Sequence, residues 1–142
     1  MFFPEDQPDR GALLTDIAIV NEAEEIIGSA SREVALRNGL IHRIAQILIV
    51  NDANEILLQK RGKSVDAPGK WDHSVAGHVD AGEDYVQAAS REAQEEMGFT
   101  NLQLTPLTKL FREGTKNGKT FRRFHWFSSQ TQEKLLNRMR KR

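Results

Sequence analysis

Residues 77–99 read GHVDAGEDYVQAASREAQEEMGF, and a helix over 83–97, closed by Gly98, is the reading that decides how the chain folds. On a 3.6-residue period Val86, Ala89, Ala93 and Met97 share one face, which would bury against a sheet. Glu92, Glu95 and Glu96 share the neighbouring face. Three carboxylates then crowd one turn, and each like-charge pair costs roughly 0.2–0.5 kcal/mol in an isolated helix. No lysine is placed among them to relieve it. Mg²⁺ would, because this hard cation takes oxygen ligands and keeps waters and phosphate oxygens in its shell. Glutamate is also a good helix former, and a glutamate-rich face by itself is an ordinary solvated surface. What surrounds the triplet therefore matters more than the triplet.

Upstream of this helix, residues 1–15 carry two prolines and mixed charge with no period, and read as a loose lead-in. Asp16–Val20 and Glu25–Ile27 are short apolar runs expected to form a small hairpin. Ser31–Asn38 reads as a short helix with a serine at its start and Gly39 at its end. Arg43–Val50 and Glu55–Arg61 are expected as two strands joined by Asn51-Asp-Ala-Asn, residues that favour turns by bonding their own backbone. A loop, Gly62–Lys70, leads to a strand at Trp71–Ala76. Downstream, Leu107–Phe111 and Thr120–Phe127 are expected as strands around a loop, Gly114-Thr-Lys-Asn-Gly-Lys. Residues 130–142 read as a short basic helix or tail. Trp71 and Phe111 are expected in the core. Strands mixed with two helices predict an α/β or α+β sandwich in one domain, residues 16–129.

The stretch from Gly77 supplies Gly77, Glu83, Arg91, Glu92, Glu95, Glu96 and Gly98 at the spacing G-x5-E-x7-R-E-x2-E-E-x-G. At roughly one in fifteen per fixed residue, seven matches by chance run near ~10⁻⁸ per start position. The spacing is that of the Nudix box, and the chain resembles the Nudix family. One position departs from the family pattern: Ala93 stands where a large aliphatic is usual. The resemblance implies a mixed β-sheet sandwiched between helices. It also implies Mg²⁺-dependent attack of water on the diphosphate linkage of a nucleoside diphosphate derivative, or of a nucleoside di- or triphosphate. Glu92, Glu95 and Glu96 would serve as metal ligands or base, Gly77 would lend its backbone carbonyl, and Arg91 would pair with Glu83 to brace the loop. Mn²⁺ would be a substitute metal.

Beyond the box, Leu40-Ile-His42-Arg, Leu57-Leu-Gln-Lys-Arg61, Pro68-Gly-Lys-Trp71 and Ser74-Val-Ala-Gly-His78 resemble the branch related to isopentenyl-diphosphate isomerase. The likeness spans about residues 16–127. That isomerase needs a cysteine just before the Gly-His pair, where Ala76 stands here. Two further metal contacts of that enzyme are also missing, with Ala35 in place of a histidine and Phe121-Arg-Arg-Phe-His in place of a Glu-x-Glu pair. Isomerisation of a prenyl diphosphate is thus disfavoured. His42 is expected as a structural group, and His78 as a contact to substrate or metal. Arg61 and Lys63 are expected to meet substrate phosphates, a task that suits a guanidinium fork.

Hydrolases of this family usually carry a further strand and a full helix after the last strand read here. The chain instead ends with SSQTQEKLLNRMRKR, an expectation of a shortened C-terminal part. A non-catalytic module that binds a diphosphate ligand or a partner protein is the rival reading this raises. The sheet edge after Phe127 would suit pairing with a second copy, giving a homodimer.

Composition trims the remaining classes. Twenty Lys+Arg balance twenty Asp+Glu, so no general field favours nucleic acid or a membrane surface. The absence of cysteine excludes disulfides, thiolate ligands and a cysteine nucleophile. The start lacks the pattern of a secretory signal, and no apolar run is longer than the four residues of Ile47–Val50, against the ~20 residues a membrane span needs. A cytoplasmic protein is expected.

Overall fold

A computed structural model describes residues 15–60 and 71–131 of the chain. Arg61, Lys63, the Gly62–Lys70 loop, the lead-in up to residue 14 and the tail from residue 132 lie outside the described residues. Two strands, β1 (Ile17–Val20) and β2 (Ile26–Ala30), form the expected hairpin, with Ile17 opposite Ala30. Helix α1 (Arg32–Asn38) follows. Ser31 Oγ accepts the Val34 N–H at 3.1 Å, and Gly39 closes the helix at φ 64°, a left-handed conformation that glycine adopts without strain. Ala35 on this helix packs with Ile17 and Ile19 in a small cluster.

Half of the ten residues of β3 (Ile41–Val50) are β-branched, and the strand runs through the middle of a four-stranded sheet. The Asn51 turn beyond it is made as read: Asn51 Oδ1 accepts the Ala53 and Glu55 N–H groups at 3.0 and 2.9 Å. The chain does turn back, with Leu57 N–H bonded to Ile49 O at 2.9 Å. The strand expected over 55–61 nevertheless shrinks to β4 (Gln59–Lys60), which pairs with β5 (Trp71–Asp72) and not with β3. The cause is the buried Ser74 hydroxyl. It accepts the Ile49 N–H at 2.9 Å and donates to Leu57 O, so a side chain sits where a ladder bond would run.

Strand β6 (Val75–His78) is antiparallel to β3, with Gly77 opposite Ala45. It leads to helix α2 (Tyr85–Met97), with Asp84 as its cap and Gln87 completing a capping box. The buried face of α2 runs at i, i+4 through Tyr85, Ala89, Ala93 and Met97, with Ala88 beside it, against Ala45, Ile47, Ile49, Val75 and Phe99. Val86, expected on that face, is 50% exposed; the stripe passes through Tyr85 one position earlier. The small Ala93 side chain is fully buried, which lets helix and sheet approach closely.

The last two strands are longer than their sequence signals. β7 (Thr105–Lys116) and β8 (Lys119–Thr131) are joined by Asn117-Gly118 alone, at φ 54° and 76°, the positive pair that a type I′ hairpin turn requires. Gly114 belongs to β7 and not to a loop; a Cβ there would press on the Phe121 ring. The domain boundary expected at 129 falls inside β8. The sheet order is β6-β3-β8-β7, with β3 and β8 parallel. The free edge expected after Phe127 is therefore absent: β8 lies between β3 and β7, paired as far as Val50–Thr131. Phe111 is not core either, at 42% exposed on the edge strand β7. The architecture is the α+β sandwich expected, a mixed sheet with α2 on one face.

Candidate functional site

The site is built where β6 hands over to α2. Gly77 lies on the face of β6 that meets the helix, and a Cβ there would overlap the Glu92 carboxyl. Only a residue without a side chain lets that carboxylate rest against the strand. The connecting loop is tied by Glu83, whose Oε1 accepts the Asp80 N–H at 2.9 Å while Glu83 N–H bonds Asp80 O at 3.0 Å.

Arg91 organises everything around it. Its Nε donates to Glu83 Oε2 at 2.8 Å and its Nη2 to Glu83 Oε1 at 2.9 Å, a two-pronged pair. Nη2 also donates to the His78 carbonyl at 3.0 Å and lies 3.3 Å from Asp80 Oδ2. Nη1 reaches Glu92 at 2.7 Å and Glu95 at 3.4 Å. One guanidinium thus binds four carboxylates and the end of β6. Burial alone would lower its pKa, but the hydrogen bonds it donates to Glu83 and Glu92 outweigh that and raise it. Burial raises the Glu92 carboxyl above its ordinary range, and Arg91 pulls the other way without cancelling it.

The structure therefore brings together Gly77, Glu83, Arg91, Glu92 and Glu95, with Glu96 on the same turn and Gly98 ending the helix at φ 73°. Among the described residues, no group of three or more His, Asp or Glu converges closely enough to hold a metal as the side chains stand. The donor set still fits a hard cation: carboxylates on one turn, one of them seated in the cradle that Gly77 leaves open. Asp80 was missed by the sequence reading. It lies within the box at an unspecified position, and nothing in its spacing marks it.

His78 turns its ring to the other side of β6, where it stacks on His42 with centroids 5.4 Å apart. Burial, with Arg32 next, holds the His78 ring well below its ordinary pKa. His42, expected as a satisfied structural group, is only half satisfied: Nδ1 meets Leu40 O at 3.1 Å, and the fully buried Nε2 has no partner. Gln46 bridges two more histidines, donating to His73 Nδ1 at 2.9 Å and accepting from His125 Nδ1 at 2.9 Å. Ala76, where the isomerase has its cysteine, lies opposite Gln46. No helix among the described residues is long and apolar enough to cross a membrane.

Comparison with known proteins agrees with this geometry. An uncharacterized Nudix hydrolase of Yersinia pestis is 36% identical over 92 residues, 64% of this chain and 50% of that protein. A protein of Serratia proteamaculans named isopentenyl-diphosphate Delta-isomerase is 38% identical over 85 residues, 59% of this chain and 48% of that protein. The chain thus spans about half the length of these curated relatives. The crystal structure of DR0079 from Deinococcus radiodurans superposes with a TM-score of 0.67 at 26% identity, over 83% of this chain and 72% of that one. The family described as the NUDIX domain matches residues 40–141, from the end of α1 onward, and the chain belongs to that family.

Proposed function

We propose that this chain is a Mg²⁺-dependent hydrolase acting in the cytoplasm, which cleaves the diphosphate linkage of a nucleoside diphosphate derivative or a nucleoside di- or triphosphate. The observation that carries the reading is the carboxylate turn of α2, seated against Gly77 and braced by Arg91. Glu92, Glu95, Glu96 and the Gly77 carbonyl would hold the metal, with Mn²⁺ as a substitute. When bound, such a cation neutralises phosphate oxygens and makes a water acidic enough to attack near neutral pH.

The chain's own residues do the rest. Arg91 and Glu83 fix the loop, so that the turn presents its carboxylates in one place. Glu92, with its raised affinity for a proton, is suited to act as base. Arg61 and Lys63 are proposed to bind the substrate's phosphates, and His78 to contact substrate from the far side of β6. The domain is proposed to run from residue 16 to the end of β8. Self-association into a homodimer would use the long outer edge of β7, where Leu107 and Leu110 are exposed.

The test is a nucleotide-library screen with Mg²⁺ and with Mn²⁺. Turnover of at least one member is expected, reduced about 10²–10⁴-fold in Glu95→Gln and Glu96→Gln. No turnover at high enzyme concentration would overturn the proposal. A non-catalytic diphosphate-binding module is the second reading, favoured by the engagement of both Glu92 and Glu95 by Arg91. It predicts thermal stabilisation by a nucleoside diphosphate without turnover.

A further inference from the structure

The sheet face turned away from α2 is built from rows of side chains set by register. Arg112 on β7, Arg123 on β8 and His42 on β3 are direct neighbours in one row. Leu110, His125, Ile44 and His78 form the next. Taking alternate residues along these four strands, no Asp or Glu occupies this face. Like charges directly opposite destabilise a sheet, so Arg112 beside Arg123 works against folding unless something anionic lies over them.

The polar atoms here point to the same need. Arg123 Nε, His42 Nε2 and His125 Nε2 are buried with no hydrogen-bond partner. His42 is 0% exposed and His125 6%. The Phe121 ring lies under the Arg123 guanidinium at 4.7 Å, a contact that leaves Nε unpaired among the described residues. A buried polar atom left unpaired costs about 1–3 kcal/mol, and three such atoms lie within two neighbouring rows of this face.

The geometry points to a binding site for a phosphate-class oxyanion on this face, held by Arg123, His42 and His125, with Arg112 at its rim. A cation is the wrong occupant. Two imidazole lone pairs would attract a metal, but Arg123 and Arg112 stand in these rows and, on this face of the four described strands, no carboxylate offsets them. Because His42 Nδ1 and His125 Nδ1 both face carbonyl oxygens, which only accept, each carries its proton there and leaves a lone pair on Nε2. Entry of the oxyanion then takes up a proton at each Nε2, converting it into a donor, and no bond other than N–H forms. The groups facing His42 are Arg32 from α1, Arg123, His78 and His125; those facing His125 are Arg123, Arg112, His73 and His42. All are cationic or neutral, so the charge that makes protonation favourable must come from the ligand. The holding residues lie outside the box, so the site stands whether or not the hydrolase proposal holds, although His78, which that proposal sets against substrate, shares a row with His125.

The experiment is a titration of the whole chain with inorganic phosphate, without divalent metal, at pH ~6 and ~8, following the ¹⁵N resonances of the histidine side chains. Saturable binding is expected, about tenfold or more tighter at the lower pH, with the Nε2 resonances of His42 and His125 moving to their protonated positions. Glu95→Gln should bind as wild type. Arg123→Gln should lose about tenfold or more in affinity, and Arg112→Gln, on the exposed edge strand, about threefold. Should Arg123→Gln fail to fold, Arg112→Gln and the histidine resonances still decide the matter. Absence of saturable binding, unchanged affinity in the arginine variants, or the same resonances responding to Zn²⁺ in place of phosphate would overturn the proposal.

Discussion

The two sides of β6 differ as sharply as any two regions of this molecule. On the Gly77 side, four carboxylates converge on a single arginine, which ties them to the strand end and to one another. On the His78 side, histidines and arginines gather with no carboxylate on the strands, and three of their nitrogens are left unpaired. The first surface is tied together within the chain by Arg91, although its carboxylates outnumber that one positive charge. The second is matched only when something from outside completes it. Opposite chemistries a few ångströms apart are possible because a β-strand alternates its side chains between two faces.

The sharpest way to break the comparison is to remove the hub of the acidic side. Arg91→Met leaves Asp80, Glu83, Glu92 and Glu95 crowded without a counter-charge, and a loss of about 3–5 kcal/mol in urea unfolding at neutral pH is expected. Part of it should return in mild acid as the carboxylates protonate.

Acid titration then separates the sides by sign. His125 is held down to about 4 by burial, with Arg123 and Arg112 next, against an ordinary 6.5. Between those values the unfolded chain binds the extra proton and the folded chain does not. Its contribution is therefore complete above pH ~6.5 and lost as pH falls towards ~4, by at most about 3 kcal/mol. Glu92 runs the other way: its raised carboxyl favours the fold at low pH, and that contribution is lost as pH rises through its folded pKa. Urea unfolding across pH should show the His125 slope vanish in His125→Gln while the Glu92 contribution persists.

The smallest effect on stability tests the contact between strand and helix. Gly77→Ala should cost about 1–3 kcal/mol, because the Glu92 carboxyl must move. Its larger mark should be on chemistry, with Mg²⁺-dependent thermal stabilisation weakened relative to wild type.

Much of the acidic side was legible in the chain. The seven spaced residues, the helix end at Gly98 and the Glu83–Arg91 pairing all follow local spacing, and a helix translates spacing into geometry with little help, although the helix begins at Tyr85 and not at 83. Asp80 was not legible, because its role depends on how the loop folds back to Arg91. Nor was the basic side. His42 lies about eighty residues from Arg123 and His125 and meets them only through the parallel pairing of β3 with β8. The lengths of β7 and β8 were understated because Gly114 reads as a loop residue, whereas in the hairpin it makes room for Phe121.

The sequence by itself determined the family, the carboxylate turn, the glycine that closes each helix and the Asn51 turn, each a matter of neighbours within a few residues. Only the tertiary structure decided that Ser74 interrupts the strand after β3, that β8 is interior and not an edge, and that a second, cationic face lies behind the first. Those outcomes depend on which strands pair and in what register, and pairing brings together residues whose distance along the chain carries no information about their distance in space.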